Sequence, residues 1–248
     1  MASTDTSAGA FPVAKLTLGF LLAVGLVRTV LLAATGSVTA LGFTVAGSVR
    51  PWTLAAAGSR VWLVAIDVVT VVLVARLLMR EGTSIRDLLN PRPYVANVLY
   101  ALAGVVVVFL ALAVGGFIGN FLIYYGAPTV TEPVDPPLWV GIVLAVVAPI
   151  TVAVAEESLF RGYLIPKLQV HLGRVGAVIV SALLAATQSL AMNLGDWEAM
   201  LAGMVKMFVI ALALGGLYLW QKRIAPLIVV HWFFQAVAGV VVLVSALY

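Results

Sequence analysis

The sequence predicts an all-α fold: a polytopic transmembrane helical bundle of about seven spans. Three observations carry that expectation. Of the 248 residues, 63% are apolar and only 10% are charged, where a soluble domain carries roughly 25% charged residues. The mean hydropathy is +1.16. The apolar residues also fall into runs long enough to cross about 30 Å of hydrocarbon at about 1.5 Å per residue, where only helices and closed barrels satisfy the backbone.

In chain order, residues 1–12 are small and polar and lack the basic start of a signal peptide, so they are read as a disordered N-terminal tail. Residues 13–248 are expected to form a single transmembrane domain. Its spans are read at 13–34, 61–79, 95–124, 138–168, 175–192, 199–220 and 225–247. The stretch from Gly36 to Arg60 is semi-apolar and holds Pro51 and Trp52, which suits a surface loop or a re-entrant or interfacial segment. Ser84-Ile85-Arg86-Asp87 has the spacing of a capping box and opens a short amphipathic helix, closed by Asn90-Pro91-Arg92-Pro93.

Charge sets the expected orientation. The net charge of +4 is spread over short loops and helix ends, with no basic run interleaved with aromatics, so nucleic acid is not an expected partner. Arg80, Arg86 and Arg92, then Lys167 and Arg174, then Lys222 and Arg223 fall in alternate loops. The intervening loops hold only Glu132, Asp135, Asp196 and Glu198. The positive-inside rule places the basic loops and the N-terminus in the cytoplasm, in a chain expected at the cell (plasma) membrane. Arg50 and Arg60 run against that pattern. With no cysteine, disulfides, iron–sulfur clusters and thiol catalysis are excluded.

Ionisable residues inside spans are costly, so each needs an account: at least about 2.5 kcal/mol at the bilayer centre. Lys15, Arg28 and Arg76 are read as snorkelling from span ends, and Lys206 as snorkelling to the outer face. Asp67 sits mid-span and needs a partner that the sequence does not name. The segment Ala153-Val154-Ala155-Glu156-Glu157-Ser158-Leu159-Phe160-Arg161-Gly162 places three ionisable groups after an apolar run. Glu157 and Arg161, four apart, can pair on one helix face. Glu156 lies about 100° round the helix with no local partner, and a carboxylate in such a place is a candidate to activate water. His231 and Gln235 share a face in an otherwise apolar stretch. Helical rise puts Glu156, Gln188-Ser189 and His231 about 12–20 Å from the basic-loop ends, so they are expected to share one cavity, open to the cytoplasm. Asp67, Glu156 and Lys206 also fit an ion or proton path.

Glu156-Glu157-x-x-x-Arg161 followed by Gly162 resembles the first motif of the CAAX prenyl protease and bacteriocin-processing (CPBP, or Abi) family of intramembrane endopeptidases. The run from Gly215 through Ala225-Pro226 to His231 resembles the approach to that family's last motif, His-x-x-x-Asn/Asp. The likeness covers residues 138–240. It implies a CAAX-protease-like core with a conical cavity, in which Glu156 activates the hydrolytic water, Glu157 and Arg161 support it, and His231 helps hold the oxyanion. In the second motif, Phe-x-x-x-His, this chain has Ala185 and Ser189. Gln235 replaces the final Asn/Asp, and His171 falls in the loop after the fourth span.

The expectation is therefore an intramembrane endopeptidase, a hydrolase acting on a membrane-associated or prenylated peptide by glutamate-activated water. Its site is drawn from Glu156, Glu157, Arg161, His231, Gln235 and Ser189, with membrane lipid and a lipidated peptide as partners. No cofactor and no metal are expected, since zinc needs three or four ligands and one histidine lies in the cavity. The alternative is a catalytically degenerate family member working as a membrane scaffold or bacteriocin-immunity protein.

Overall fold

A computed structural model describes residues 16–89, 95–127, 138–245 and 247. The expected tail, Lys15, the Asn90–Pro93 turn, Glu132 and Asp135 lie outside them. Every regular element among the described residues is helical: α1 Leu18–Val45, α2 Pro51–Gly58, α3 Leu63–Arg80, α4 Ile85–Leu89, α5 Val95–Tyr124, α6 Leu138–Ile142, α7 Ala148–Glu156, α8 Ile165–Met192, α9 Trp197–Gln221 and α10 Ala225–Ser245. A 3₁₀ turn, Ser59–Trp62, joins α2 to α3.

Six continuous helical runs are long and apolar enough to cross a membrane, and one of them, Leu138–Met192, has 55 residues. That run is two antiparallel passes. Gly173 breaks α8 with φ 68° and ψ 179°, a conformation glycine adopts without Cβ strain. The Ser181 hydroxyl then donates to the Phe160 carbonyl at 3.2 Å, although a straight helix would hold residues 21 apart about 30 Å from each other. Seven passes result among the described residues.

The expected first span ended too early. Helix α1 continues through the semi-apolar stretch to Val45, and the next helix begins at Pro51, a residue preorganised for a first turn. The stretch from Gly36 to Arg60, expected as a surface loop or a re-entrant or interfacial segment, is mostly helix. The short helix α4 begins as read: Ser84 N–H donates to Asp87 Oδ2 at 3.0 Å, and Asp87 N–H to Ser84 Oγ at 3.3 Å. Hydrogen bonds from the Ser84 hydroxyl and N–H hold the Asp87 carboxyl below the usual range, so this cap is intact at neutral pH and is lost as pH falls through that lowered value.

Two π-helical stretches interrupt the fourth pass, Val143–Val147 and Glu157–Leu164. Each ends two residues before a proline, Pro149 and Pro166. A proline ring crowds the carbonyl four residues back and offers it no N–H; the wider π turn gives that carbonyl room. All eight residues from Glu157 to Leu164 are buried. They form the centre of the bundle, with α1, α3, α8 and α9 packed around them.

Close approaches at glycine fix the other helices. On α5, a Cβ at Gly119 would lie 2.6 Å from the Ala202 carbonyl oxygen, and one at Gly115 would lie 3.0 Å from that of Lys206. This is the small-residue packing by which membrane helices meet. The opposite face of α5 presents Leu102, Val106, Phe109, Phe117 and Phe121 outward, as a lipid-facing helix does. On α10, a Cβ at Gly239 would collide with the Leu144 carbonyl oxygen in the first π stretch. Gly239→Ala is expected to cost about 1–3 kcal/mol, read as a lowered thermal unfolding midpoint in detergent. An unchanged midpoint would mean the α10 contact is dispensable.

The basic loops share one end of the bundle. There Tyr163 Oη and Lys167 Nζ both donate to the carboxylate of Glu81, just past α3, and Arg223 donates to Asn97 near the start of α5 at 2.9 Å. The other end carries the turns at 46–50 and 193–196, where Trp52 packs directly on Gly195.

Candidate active site

Glu156 is the last residue of α7 and Glu157 the first of the π stretch. Both are buried, and the packing sends them to opposite partners. Arg28, in the body of α1, donates from Nη1 to Glu156 Oε1 at 2.6 Å and to Gln188 Oε1, and from Nη2 to Asp67 Oδ1 at 2.6 Å. The Thr151 hydroxyl donates to the other Asp67 oxygen at 2.7 Å. Four helices thus converge on one guanidinium, whose planar fork suits two carboxylates at once.

This corrects two expectations. Arg28 does not snorkel: it is 1% exposed, the largest fully buried side chain among the described residues. Nor is Glu156 without a counter-charge, because its partner arrives from 128 residues earlier in the chain. The partner that Asp67 required is the same arginine.

Glu157 organises the second cluster. Its Oε1 accepts from Arg161 Nη1 at 3.1 Å, the i, i+4 pair anticipated from spacing, and from His231 Nδ1 at 2.8 Å. Arg161 also donates to the Ala211 carbonyl at 3.3 Å, tying the cluster to α9. A carboxylate only accepts, so Nδ1 of His231 carries a proton, and the ring orientation is thereby fixed. Its Nε2 faces Glu156 Oε2 at 3.9 Å and lies 3.4 Å from the Gln235 amide nitrogen.

Glu156 stands where two cavities meet. The first, about 350 Å³, holds Arg28, Glu156, Gln188, Ser189 and Gln235 and runs to Tyr124, Asn193 and Ala199 at the helix ends. The second, about 290 Å³, lies among α5, α9 and α10. Val108, Leu112, Leu214 and Phe234 form its apolar walls, with Glu156, Arg161 and His231 at the inner end. Glu156, Lys206, Met207 and Gln235 line both.

Of the six residues singled out from sequence, five converge at this junction. Ser189 stands apart. It lines the first cavity but bonds to neither Glu156 nor His231; Asn193 Nδ2 donates to its hydroxyl at 3.3 Å. A Cβ on Gly203 would collide with that oxygen, so α9 closes directly over Ser189. His171 is remote, bonded to the Leu16 carbonyl. Lys206, expected to snorkel outward, faces the chamber instead. Arg28 and Thr151 were missed as site residues, though two opposite charges lone in separate apolar spans, Arg28 and Asp67, were a readable sign of a pair. Among the described residues no group of three or more His, Asp or Glu side chains is placed to hold a metal ion. The expected direction of opening also fails to fit with the expected orientation. The polar cavity opens at the 46–50 and 193–196 end, opposite the basic loops.

Residues 136–237 match the family model described as "Rce1-like: Type II CAAX prenyl endopeptidase Rce1-like". No curated protein and no solved structure matches the chain.

Proposed function

From the match of residues 136–237 to the Rce1-like family model of type II CAAX prenyl endopeptidases, we propose that the chain hydrolyses a peptide bond of a membrane-associated or lipidated substrate inside the bilayer. The observation that carries this reading is the 3.9 Å gap between Glu156 Oε2 and His231 Nε2 at the junction of the two cavities. That gap is too long for a direct hydrogen bond and suits one water bonded to both.

Glu156 Oε2 takes a proton from this water as its oxygen bonds to the scissile carbonyl carbon. The proton then passes to the amine as the C–N bond breaks. His231, oriented by Glu157, holds the water's second side, the task that the missing second-motif histidine would otherwise do. The Gln235 amide N–H groups lie on the same wall and donate to the developing oxyanion. Arg28 pairs with Glu156 and Arg161 with Glu157, which holds the two carboxylates on separate partners. A lipid chain fits the apolar cavity, and an extended peptide fits the polar one. Cleavage of a lipidated peptide by the purified protein in detergent, lost in Glu156→Gln, tests the assignment; equal cleavage by the variant would sink it.

Two observations favour a scaffold instead: Arg28 already occupies one oxygen of Glu156, and Ser189 stands at the histidine position. In that case Glu156→Gln leaves the cellular phenotype unchanged. Orientation has its own test, simplified by the absence of native cysteine. With the basic end in the cytoplasm, the Ser48→Cys variant is labelled by an impermeant maleimide from outside, and the Arg86→Cys variant is not. The reverse pattern would put the polar mouth in the cytoplasm.

A further inference from the structure

The chamber contains a cation that no described residue balances. Lys206 lies nine residues into α9, about 14 Å below the helix end. It is half-buried and lines both cavities, with no ion pair or hydrogen bond among the described residues. Arg60 lines the polar cavity above it, likewise without an ion pair or hydrogen bond among those residues. The nearby acids are engaged elsewhere. Asp67 and one oxygen of Glu156 face Arg28, and Glu157 faces Arg161 and His231. Glu156 is not within ion-pair distance of Lys206.

A lysine at hydrocarbon depth costs free energy unless an anion or water meets it. Small residues on the same helix, Ala199, Ala202 and Gly203, keep the space in front of it open. The headgroup phosphate of a bilayer lipid stays at the interface, well above this depth. A carboxylate at the end of an apolar chain reaches it.

We propose that Lys206, assisted by Arg60, is an anion subsite that holds the carboxylate of an amphiphilic ligand whose apolar chain lies along the Val108, Leu112 and Phe234 wall. Two sources share that chemistry: a free fatty acid and the carboxy terminus of a hydrophobic peptide. The inference rests on the chamber being the substrate-binding site, as in the reading above, and not on its hydrolytic chemistry. It makes Lys206 a specificity-determining residue.

The test is equilibrium binding to the full chain in phosphatidylcholine nanodiscs. One arm compares palmitate with palmitamide; the other compares a fluorescent, N-acylated hydrophobic tripeptide ending in carboxylate with its terminal amide. In at least one arm the acid should bind at least about 10-fold more tightly than the amide, as a charge-assisted contact implies, and that arm names the source. Lys206→Gln should abolish the difference and Lys206→Arg should keep it. Glu156→Gln should also keep it, even though cleavage is lost, so failure of the hydrolytic reading leaves this result standing. No acid preference in either arm, or a preference that survives Lys206→Gln, overturns the subsite. Displacement of both acids by phosphatidylglycerol doped into the nanodisc would overturn it in favour of a lipid phosphate.

Discussion

Arg28→Gln is expected to destabilise the protein by about 3–5 kcal/mol, the cost of removing one partner from a buried ionic cluster. The guanidinium meets Asp67 and Glu156 at 2.6 Å each and also bonds Gln188. All four residues are at most 5% exposed, and Arg28, Glu156 and Gln188 border the polar cavity. Glutamine leaves two carboxylates facing one another in the bundle. Arg28→Lys should recover only part of the loss, because an ammonium cannot present parallel donors to two carboxylates and an amide. Pairing Arg28→Gln with Asp67→Asn should recover more than lysine does, since it removes one uncompensated charge. Equilibrium unfolding in mixed micelles measures all three variants. A single variant as stable as the parent would show that the cluster does not hold α1, α3, α7 and α8 together.

The second large effect is on rate. Glu156→Gln and His231→Asn are each expected to lower kcat by about 10²- to 10⁴-fold, the usual contribution of a positioned acid–base group. The double variant should fall little further if, as proposed, both side chains hold the same water. In Glu156→Gln the new amide keeps an acceptor oxygen for Arg28, so unfolding should shift much less than in Arg28→Gln. That contrast separates a lost base from a loosened bundle. If the two losses multiplied instead, Glu156 and His231 would act on different steps, and the shared water would be excluded.

Most of the bundle was legible because the bilayer restricts the backbone to few solutions. Spans three to seven follow from apolar run length alone, and the Glu157–Arg161 pair follows from helical spacing. The ionic core was not legible, for a local reason. Ending the first span at residue 34 placed Arg28 close to an end, from which a long side chain reaches water. With α1 continuing to Val45, the same residue is deep and must be neutralised. Pairing across 128 residues has no periodicity to betray it. Lys206 was misread similarly: distance to the interface was countable, but the cavity that makes snorkelling unnecessary depends on Gly203 and the helices packed beyond it. The π turns were hidden too, although a proline shortly after each marks where the fourth pass is under crowding.

The four-way junction at Arg28 also dictates an order of biogenesis. Arg28 is made 39 residues before Asp67, 128 before Glu156 and 160 before Gln188. An isolated guanidinium in hydrocarbon costs at least about 2.5 kcal/mol on the insertion scale, and Asp67 is the first of its partners to be synthesised, so the first two passes are expected to close on each other before the rest are made. The later segment that carries Glu156 then enters a membrane where a cation is already waiting. The first hairpin is in that sense a receptor for the pass that carries Glu156, and a defect at Asp67 is expected to be felt first by the nascent chain at the translocon.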